Sequence, residues 1–134
     1  MIKIICVGKI KEKFYRDAIY EYCKRLGKYT KLEIIEVPDS SLMNPNLNKQ
    51  KEKEAILKYI KPKDYIITMD IEGKEYDSVS LANKIDNTFQ SNSTITFIIG
   101  GSDGLDDEVK SLANESISFS KLTFPHQLFG VLLL

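Results

Sequence analysis

Four short runs of mostly β-branched residues, separated by longer charged segments, constrain the fold of this chain more than any other feature. The runs are IKIICV, LEIIEV, YIITMD and TITFII, and a shorter one, SISFS, follows them. Most are almost continuously apolar, as in strands buried on both faces, whereas LEIIEV alternates and stops at Pro38, which favours a position nearer an edge. The intervening segments are long enough for helices. This alternation predicts an α/β fold, with an open, largely parallel sheet and helices on both faces.

The chain has the size of one domain. With 134 residues and 43% hydrophobic content it can bury one substantial core, so we predict a single domain over residues 1–134. No apolar run approaches the ~20 residues of a membrane span, and the apolar stretch near the N-terminus is too short for the hydrophobic region of a signal peptide. We therefore expect a cytoplasmic protein without a membrane partner. One histidine and two separated cysteines, Cys6 and Cys23, do not have the spacing of a metal site.

Charge is distributed unevenly along the chain although its sum is zero. Residues 1–67 carry 15 Lys and Arg against 9 Asp and Glu, and residues 68–134 carry 4 against 10, so the halves differ as +6 and −6. A basic half is suited to phosphate groups, but solvated helix faces produce the same asymmetry. The sequence leaves both interpretations open.

The first helical segment, EKFYRDAIYEYCKRL, repeats apolar residues at every fourth position. Phe14, Ala18, Tyr22 and Leu26 are predicted to form its inner stripe, which Tyr15 and Ile19 widen, and Gly27 is predicted to terminate the helix.

Ligands of open α/β sheets bind beyond the carboxyl ends of the strands. The predicted ends are Gly8, Asp70–Gly73, Gly100–Gly104 and Ser120–Phe124. The second of these places the end of YIITMD at Asp70.

The loop IIGGSDGL has three glycines within five positions, which permits positive φ angles and close approach to a ligand. It matches neither the P-loop nor the GxGxxG pattern, so an ordinary turn and a ligand loop are equally compatible with it. Asp103, Asp106 and Asp107 would repel phosphate. An uncharged or cationic ligand fits this loop better.

The segment SFSKLTFPHQ is the second candidate ligand loop. Phe119, Leu122 and Phe124 offer apolar surfaces, and the backbone between them offers hydrogen-bonding groups for the edge of a purine. His126 is a candidate general base, because its ordinary pKa lies near neutrality. The alternative is a histidine that caps or packs at a helix start.

Five ordered motifs resemble the RlmH family of SPOUT-superfamily methyltransferases. They are VGKIKEKF, YCKRLGKYTKLEIIEVPD, ITMDIEGK, FIIGGSDGL and SFSKLTFPHQL, and the resemblance covers essentially the whole chain. It implies an α/β trefoil-knot fold, a homodimer, and transfer of a methyl group from S-adenosylmethionine to N3 of a pseudouridine in 23S ribosomal RNA. It implies no metal.

The resemblance also implies which positions hold the cofactor. These are Met69, where leucine is usual in the family, Gly100, and the run Phe119, Ser120, Lys121, Leu122, Thr123 and Phe124. A cationic sulfonium agrees with a loop rich in Asp. No residue is implied as the catalytic base, so His126 remains only a candidate.

The chain departs from the family after FPHQL. Family members usually continue with an arginine, a helix and a tail rich in Tyr, Arg and His, whereas this chain has Gly130 and stops at Leu134. We therefore expect an incomplete knot and negligible methylation by the 134-residue chain. The alternative function is a catalytically silent binding or dimerisation module of the same fold. A flavodoxin-like flavin binder is a third possibility, which no loop specifically supports.

Overall fold

A computed structural model describes residues 1–38, 45–100, 105–124 and 126–134, with the backbone alone at 45–46 and 126–127. Ten elements alternate along the chain. In order they are β1 (Ile2–Val7), α1 (Lys13–Leu26), β2 (Leu32–Val37), α2 (Pro45–Leu57), β3 (Tyr65–Glu75), α3 (Ser78–Phe89), β4 (Ile95–Ile99), α4 (Asp107–Leu112), β5 (Glu115–Ser118) and α5 (His126–Leu133).

The five strands form one sheet in the order β2-β1-β4-β3-β5, and every neighbouring pair is parallel. β4 is the central strand, between β1 and β3, and it is buried at all five positions. β2 lies at an edge and ends at Val37, just before Pro38, as its alternating pattern predicts.

The sheet buries an apolar cluster on each face, which confirms the predicted arrangement of helices. On one face, Ile4, Ile67 and Phe97 contribute to a cluster covered by side chains of α3 and α5. On the other, Ile5 and Ile98 pack in a cluster to which α2 and α4 contribute buried side chains. Consecutive strand residues supply opposite faces, which is why the inner strands are mostly apolar along their length.

The predicted inner stripe of α1 is wrong at two of its six positions. Phe14 is 63% exposed and Tyr22 is 39% exposed. The other four predicted positions are half-buried, and Cys23, which was not predicted, joins them; the half-buried residues are Tyr15, Ala18, Ile19, Cys23 and Leu26. Steps of four drift around a helix of 3.6 residues per turn, whereas the true inner face alternates steps of three and four. Gly27 lies at the helix end but has a helical φ of −58°, so it is not a left-handed terminator.

A buried ion pair joins β1 to the segment before β3. Lys3 Nζ lies 3.0 Å from Asp64 Oδ2, and the two side chains are only 6% and 5% exposed. Lys3 also donates to the Tyr59 carbonyl, and the Thr96 hydroxyl donates to Asp64. Burial alone would raise the pKa of the Asp64 carboxyl, but the Lys61 backbone N–H and the Lys3 ammonium hold that pKa below its ordinary value.

Neither a membrane-spanning helix nor a metal cluster is found among the described residues. None of the helices there has the length and apolar character needed to cross a membrane. The described His, Cys, Asp and Glu side chains form no group of three or more that could hold a metal ion.

Candidate functional site

The three segments predicted to bind a ligand meet at one corner of the sheet. β4, β3 and β5 are neighbours in that order, so their carboxyl ends lie side by side. Met69 pairs with Ile99 of β4 on one side and with Ile117 of β5 on the other. Gly100 directly follows β4, and residues 119–124 directly follow β5. We call this place the β4-β3-β5 corner.

β3 does not end at Asp70, as the sequence analysis expected, but runs on to Glu75. Ile117 pairs with both Met69 and Lys74, so residues 70–73 have no partners in the ladder and form an outward bulge. We call residues 70–73 the β3 bulge. The bulge lies beside the loop that follows β5 and forms one wall of the groove described below.

Gly73 allows the β3 bulge to close against β5. A Cβ at this position would lie 2.7 Å from the Ile117 nitrogen and 2.7 Å from the Ser116 carbonyl carbon. These are backbone atoms of a paired strand, so they have little freedom to move aside. Only glycine permits this approach.

Polar contacts fix the start of the same bulge. The Asp70 carboxylate accepts a hydrogen bond from the Glu72 backbone N–H at 3.2 Å. Lys110 of α4 places its ammonium 3.2 Å from the second oxygen of Asp70. Asp70 is therefore occupied within the protein, which leaves Glu72 and Glu75 as the carboxylates that face outward here.

The loop after β5 is anchored at one end and exposed in the middle. Phe119 packs on the core, and its ring lies 4.8 Å from that of Phe129 in α5. The Ser120 carbonyl accepts from the Ser118 hydroxyl, and the Ser120 hydroxyl accepts from the Leu122 N–H. Leu122 is 71% exposed. Lys121 and Thr123 are also exposed, and Phe124 is half-buried.

An open groove of about 580 Å³ lies between the β3 bulge and this loop. Its lining consists of Ile71, Glu72, Gly73, Glu75 and Lys121. The lining carries two carboxylates, one ammonium and the apolar side chain of Ile71, so its net charge is negative and it favours a ligand that combines apolar surface with positive charge. A sulfonium cofactor combines these two features.

A cluster of polar side chains surrounds Glu115 at the start of β5, at the other end of that strand from the corner. The sequence analysis did not predict this cluster. The Glu115 carboxylate accepts from the Tyr76 hydroxyl, from Tyr65 at 3.4 Å, and forms an ion pair with Lys84 at 3.3 Å. The hydrogen bond to Glu115, followed by burial, raises the pKa of Tyr76. The cluster ties the exit of β3 to the start of β5 and to α3. Four residues so far apart in sequence leave no local signal.

The remaining predicted residues are only partly described. The backbone of His126 begins α5 as expected, but its side chain and all of residues 101–104, including Asp103, lie outside the described residues. Asp106 caps α4, because its carboxylate accepts from the Glu108 N–H at 2.8 Å. Among described glycines only Gly8 has a positive φ, of 99°, so Gly100 does not need its glycine for that reason.

Comparison with known proteins identifies the chain's relatives. The sequence model of one family, described as "Predicted SPOUT methyltransferase", matches residues 1–134. The chain belongs to the SPOUT methyltransferase family. A curated "Ribosomal RNA large subunit methyltransferase H" of Clostridium botulinum is 54% identical over 140 residues, covering 99% of this chain and 88% of that protein. Its counterpart from Caldicellulosiruptor saccharolyticus is 47% identical over 135 residues, covering 98% and 88%.

A solved structure was also found to be similar to this methyltransferase. It is the SpoU methyltransferase AviRb from Streptomyces viridochromogenes in complex with the cofactor AdoMet, with 12% identity and a TM-score of 0.47 over 98% of this chain and 54% of that one. The family match and the curated relatives confirm the methyltransferase interpretation of the motifs and favour it over a silent binding module.

Proposed function

We propose that this methyltransferase uses S-adenosylmethionine to methylate N3 of a pseudouridine in 23S ribosomal RNA. One observation carries the proposal: Met69, Gly100 and residues 119–124, far apart in sequence, lie together at the corner where β4 and β5 end and the β3 bulge begins. The curated relatives, named as methyltransferases of large-subunit ribosomal RNA, support the class of substrate. Since ribosomes are the target, the cytoplasm is the expected location.

Each part of the corner has a chemical role in this proposal. Bound S-adenosylmethionine supplies a methyl group on a positively charged sulfur. Glu72 and Glu75 favour that positive charge, and Met69 and Phe119 provide apolar contacts. The exposed backbone of residues 121–124 offers donors and acceptors to the purine.

Methylation at a ring nitrogen also requires that its proton leave. His126, at the start of α5 and directly after this loop, is our candidate for accepting it. The protein's main contribution is to hold the acceptor nitrogen in line with the methyl group.

We further propose that the enzyme acts as a homodimer. α1 buries none of its residues fully, although it packs beside α5. Phe14 and Tyr22 of α1 are exposed, and Leu132 of α5 is 48% exposed. A second subunit covering these side chains would remove apolar surface from water.

Methyl transfer tests the proposed function directly, and it also tests the earlier expectation of negligible methylation, which this proposal replaces. Protein expressed from its own gene is incubated with unmodified ribosomes and S-adenosylmethionine carrying a labelled methyl group. We expect the label in 23S RNA, and digestion to nucleosides should give N3-methylpseudouridine by mass spectrometry. Label found only in small-subunit RNA, or in another nucleoside, would contradict the proposal.

A further inference from the structure

The outward face of α1 carries a line of two cations and an aromatic ring. Arg16, Tyr20 and Lys24 are four residues apart, so they lie along one side of the helix at intervals of about 6 Å. All three side chains are exposed, and Tyr20 is 72% exposed. We call these three residues the α1 stripe.

The acidic residues of α1 do not neutralise this stripe. Asp17 forms an ion pair with Lys13 at 3.0 Å, and Glu21 forms one with Arg25 at 3.1 Å. Neither Arg16 nor Lys24 forms an ion pair with any residue that the structure describes. The stripe therefore presents two cations on either side of an exposed phenol ring.

The stripe continues a basic path that begins beside the β4-β3-β5 corner. Exposed Lys9 and Lys11 lie in the segment that joins β1 to α1. β1 pairs with β4 in parallel, so this segment leaves the same edge of the sheet as Gly100. Beyond α1 the path ends at Lys28 and Tyr29, and Tyr29 is 83% exposed. A polyanion that places one unit at the corner can extend along this path.

We propose that the α1 stripe binds large-subunit ribosomal RNA away from the reacting nucleotide. Arg16 and Lys24 contact phosphates, and Tyr20 stacks on an unpaired base, a combination typical of surfaces that bind single-stranded nucleic acid. The inference rests on the proposed function for the identity of the RNA. It also gives a role to the excess of positive charge in the first half of the chain.

A second copy of this chain is a poorer occupant of the same surface. In a two-fold dimer the same patch appears on both subunits, so the Arg16 and Lys24 side chains of both copies would crowd together. RNA supplies the opposite charge. The exposed apolar side chains Phe14 and Tyr22 lie off the stripe and remain available to a subunit contact.

The test compares two double variants that remove the same charge from different faces. Arg16→Gln/Lys24→Gln neutralises the stripe, and Lys51→Gln/Lys58→Gln neutralises two exposed lysines of α2 and the turn after it. For each, we measure the dissociation constant for purified large ribosomal subunits across salt concentrations, and KM and kcat for methyl transfer.

We expect the stripe variant to weaken subunit binding roughly tenfold and to raise KM without changing kcat. The slope of log K against log salt should fall in magnitude by about 1.4, which is ~0.7 for each of two lost contacts to single-stranded RNA. Tyr20→Ala should weaken binding roughly fivefold or more, and Tyr20→Phe should retain it, because stacking requires the ring and not the hydroxyl. The α2 variant and the affinity for S-adenosylmethionine should not change.

Equal effects of the two double variants would overturn the inference, because the stripe would then contribute only general charge. A change in oligomeric state caused by the stripe variant, measured by sedimentation, would also overturn it and assign the stripe to a subunit contact. If the unmodified protein transfers no methyl group, the proposed function fails, whereas the binding comparison still decides the role of the stripe.

Discussion

Gly73→Ala should lower the free energy of unfolding by about 1–3 kcal/mol and should remove most of the affinity for S-adenosylmethionine. The added Cβ would lie 2.7 Å from two backbone atoms of β5, so the β3 bulge must move away from the strand. That movement displaces one wall of the groove formed with Lys121. Chemical denaturation measures the first effect, and isothermal titration with the cofactor measures the second.

Gly130→Ala is the matched control, because it adds the same methyl group in helix α5. A Cβ at this position meets no atom within 4 Å, and alanine favours the helix by ~1 kcal/mol over glycine. This variant should be as stable as the original protein or more so, and should bind the cofactor equally. If Gly73→Ala behaves in the same way, the close approach of the bulge to β5 has no functional consequence.

Asp64→Asn should destabilise the protein by about 3–5 kcal/mol at pH 7, since it leaves the Lys3 ammonium buried without its counter-charge. Asp17→Asn is the matched control, because Asp17 forms an ion pair with Lys13 at the same distance of 3.0 Å on the surface. Its loss should not change stability measurably, because exposed pairs contribute little. If the two variants lose similar amounts of unfolding free energy, the buried ion pair contributes no more to stability than the exposed one.

The same pair predicts how stability depends on pH. The folded protein holds the pKa of Asp64 below its unfolded value, so the stabilisation is complete above about pH 4 and is lost as the pH falls through the folded pKa. The difference in unfolding free energy between the original protein and Asp64→Asn should therefore shrink on acidification. A constant difference between pH 7 and pH 3 would show that the carboxylate charge is not responsible.

The sheet was predictable from sequence because burial on both faces leaves a local trace. β1 and β4 are almost continuously apolar, interrupted only by Lys3 and Thr96, and the glycine-rich segment after β4 marks its end. The sequence also predicted that Met69 and Gly100 lie close together, because the carboxyl ends of parallel strands meet at the same edge of a sheet.

Features that depend on tertiary contacts were less predictable. Phe14 and Tyr22 were wrongly placed on the inner face of α1 because steps of four and the true helical period diverge within a few turns. The continuation of β3 had one local signal: Gly73, inside a strand pattern, is typical of a bulge or a close backbone approach. The Glu115 cluster had none, because its partners lie far apart in sequence: Tyr65 begins β3, Tyr76 follows that strand, and Lys84 lies in α3.

The central claim is that the cofactor binds at the β4-β3-β5 corner, and a crystal structure with bound S-adenosylmethionine tests it most directly. We expect the cofactor between the β3 bulge and the loop after β5, with contacts from Met69, Gly100 and residues 119–124. A cofactor bound instead beside Gly8 and Pro38, at the ends of β1 and β2, would contradict this account.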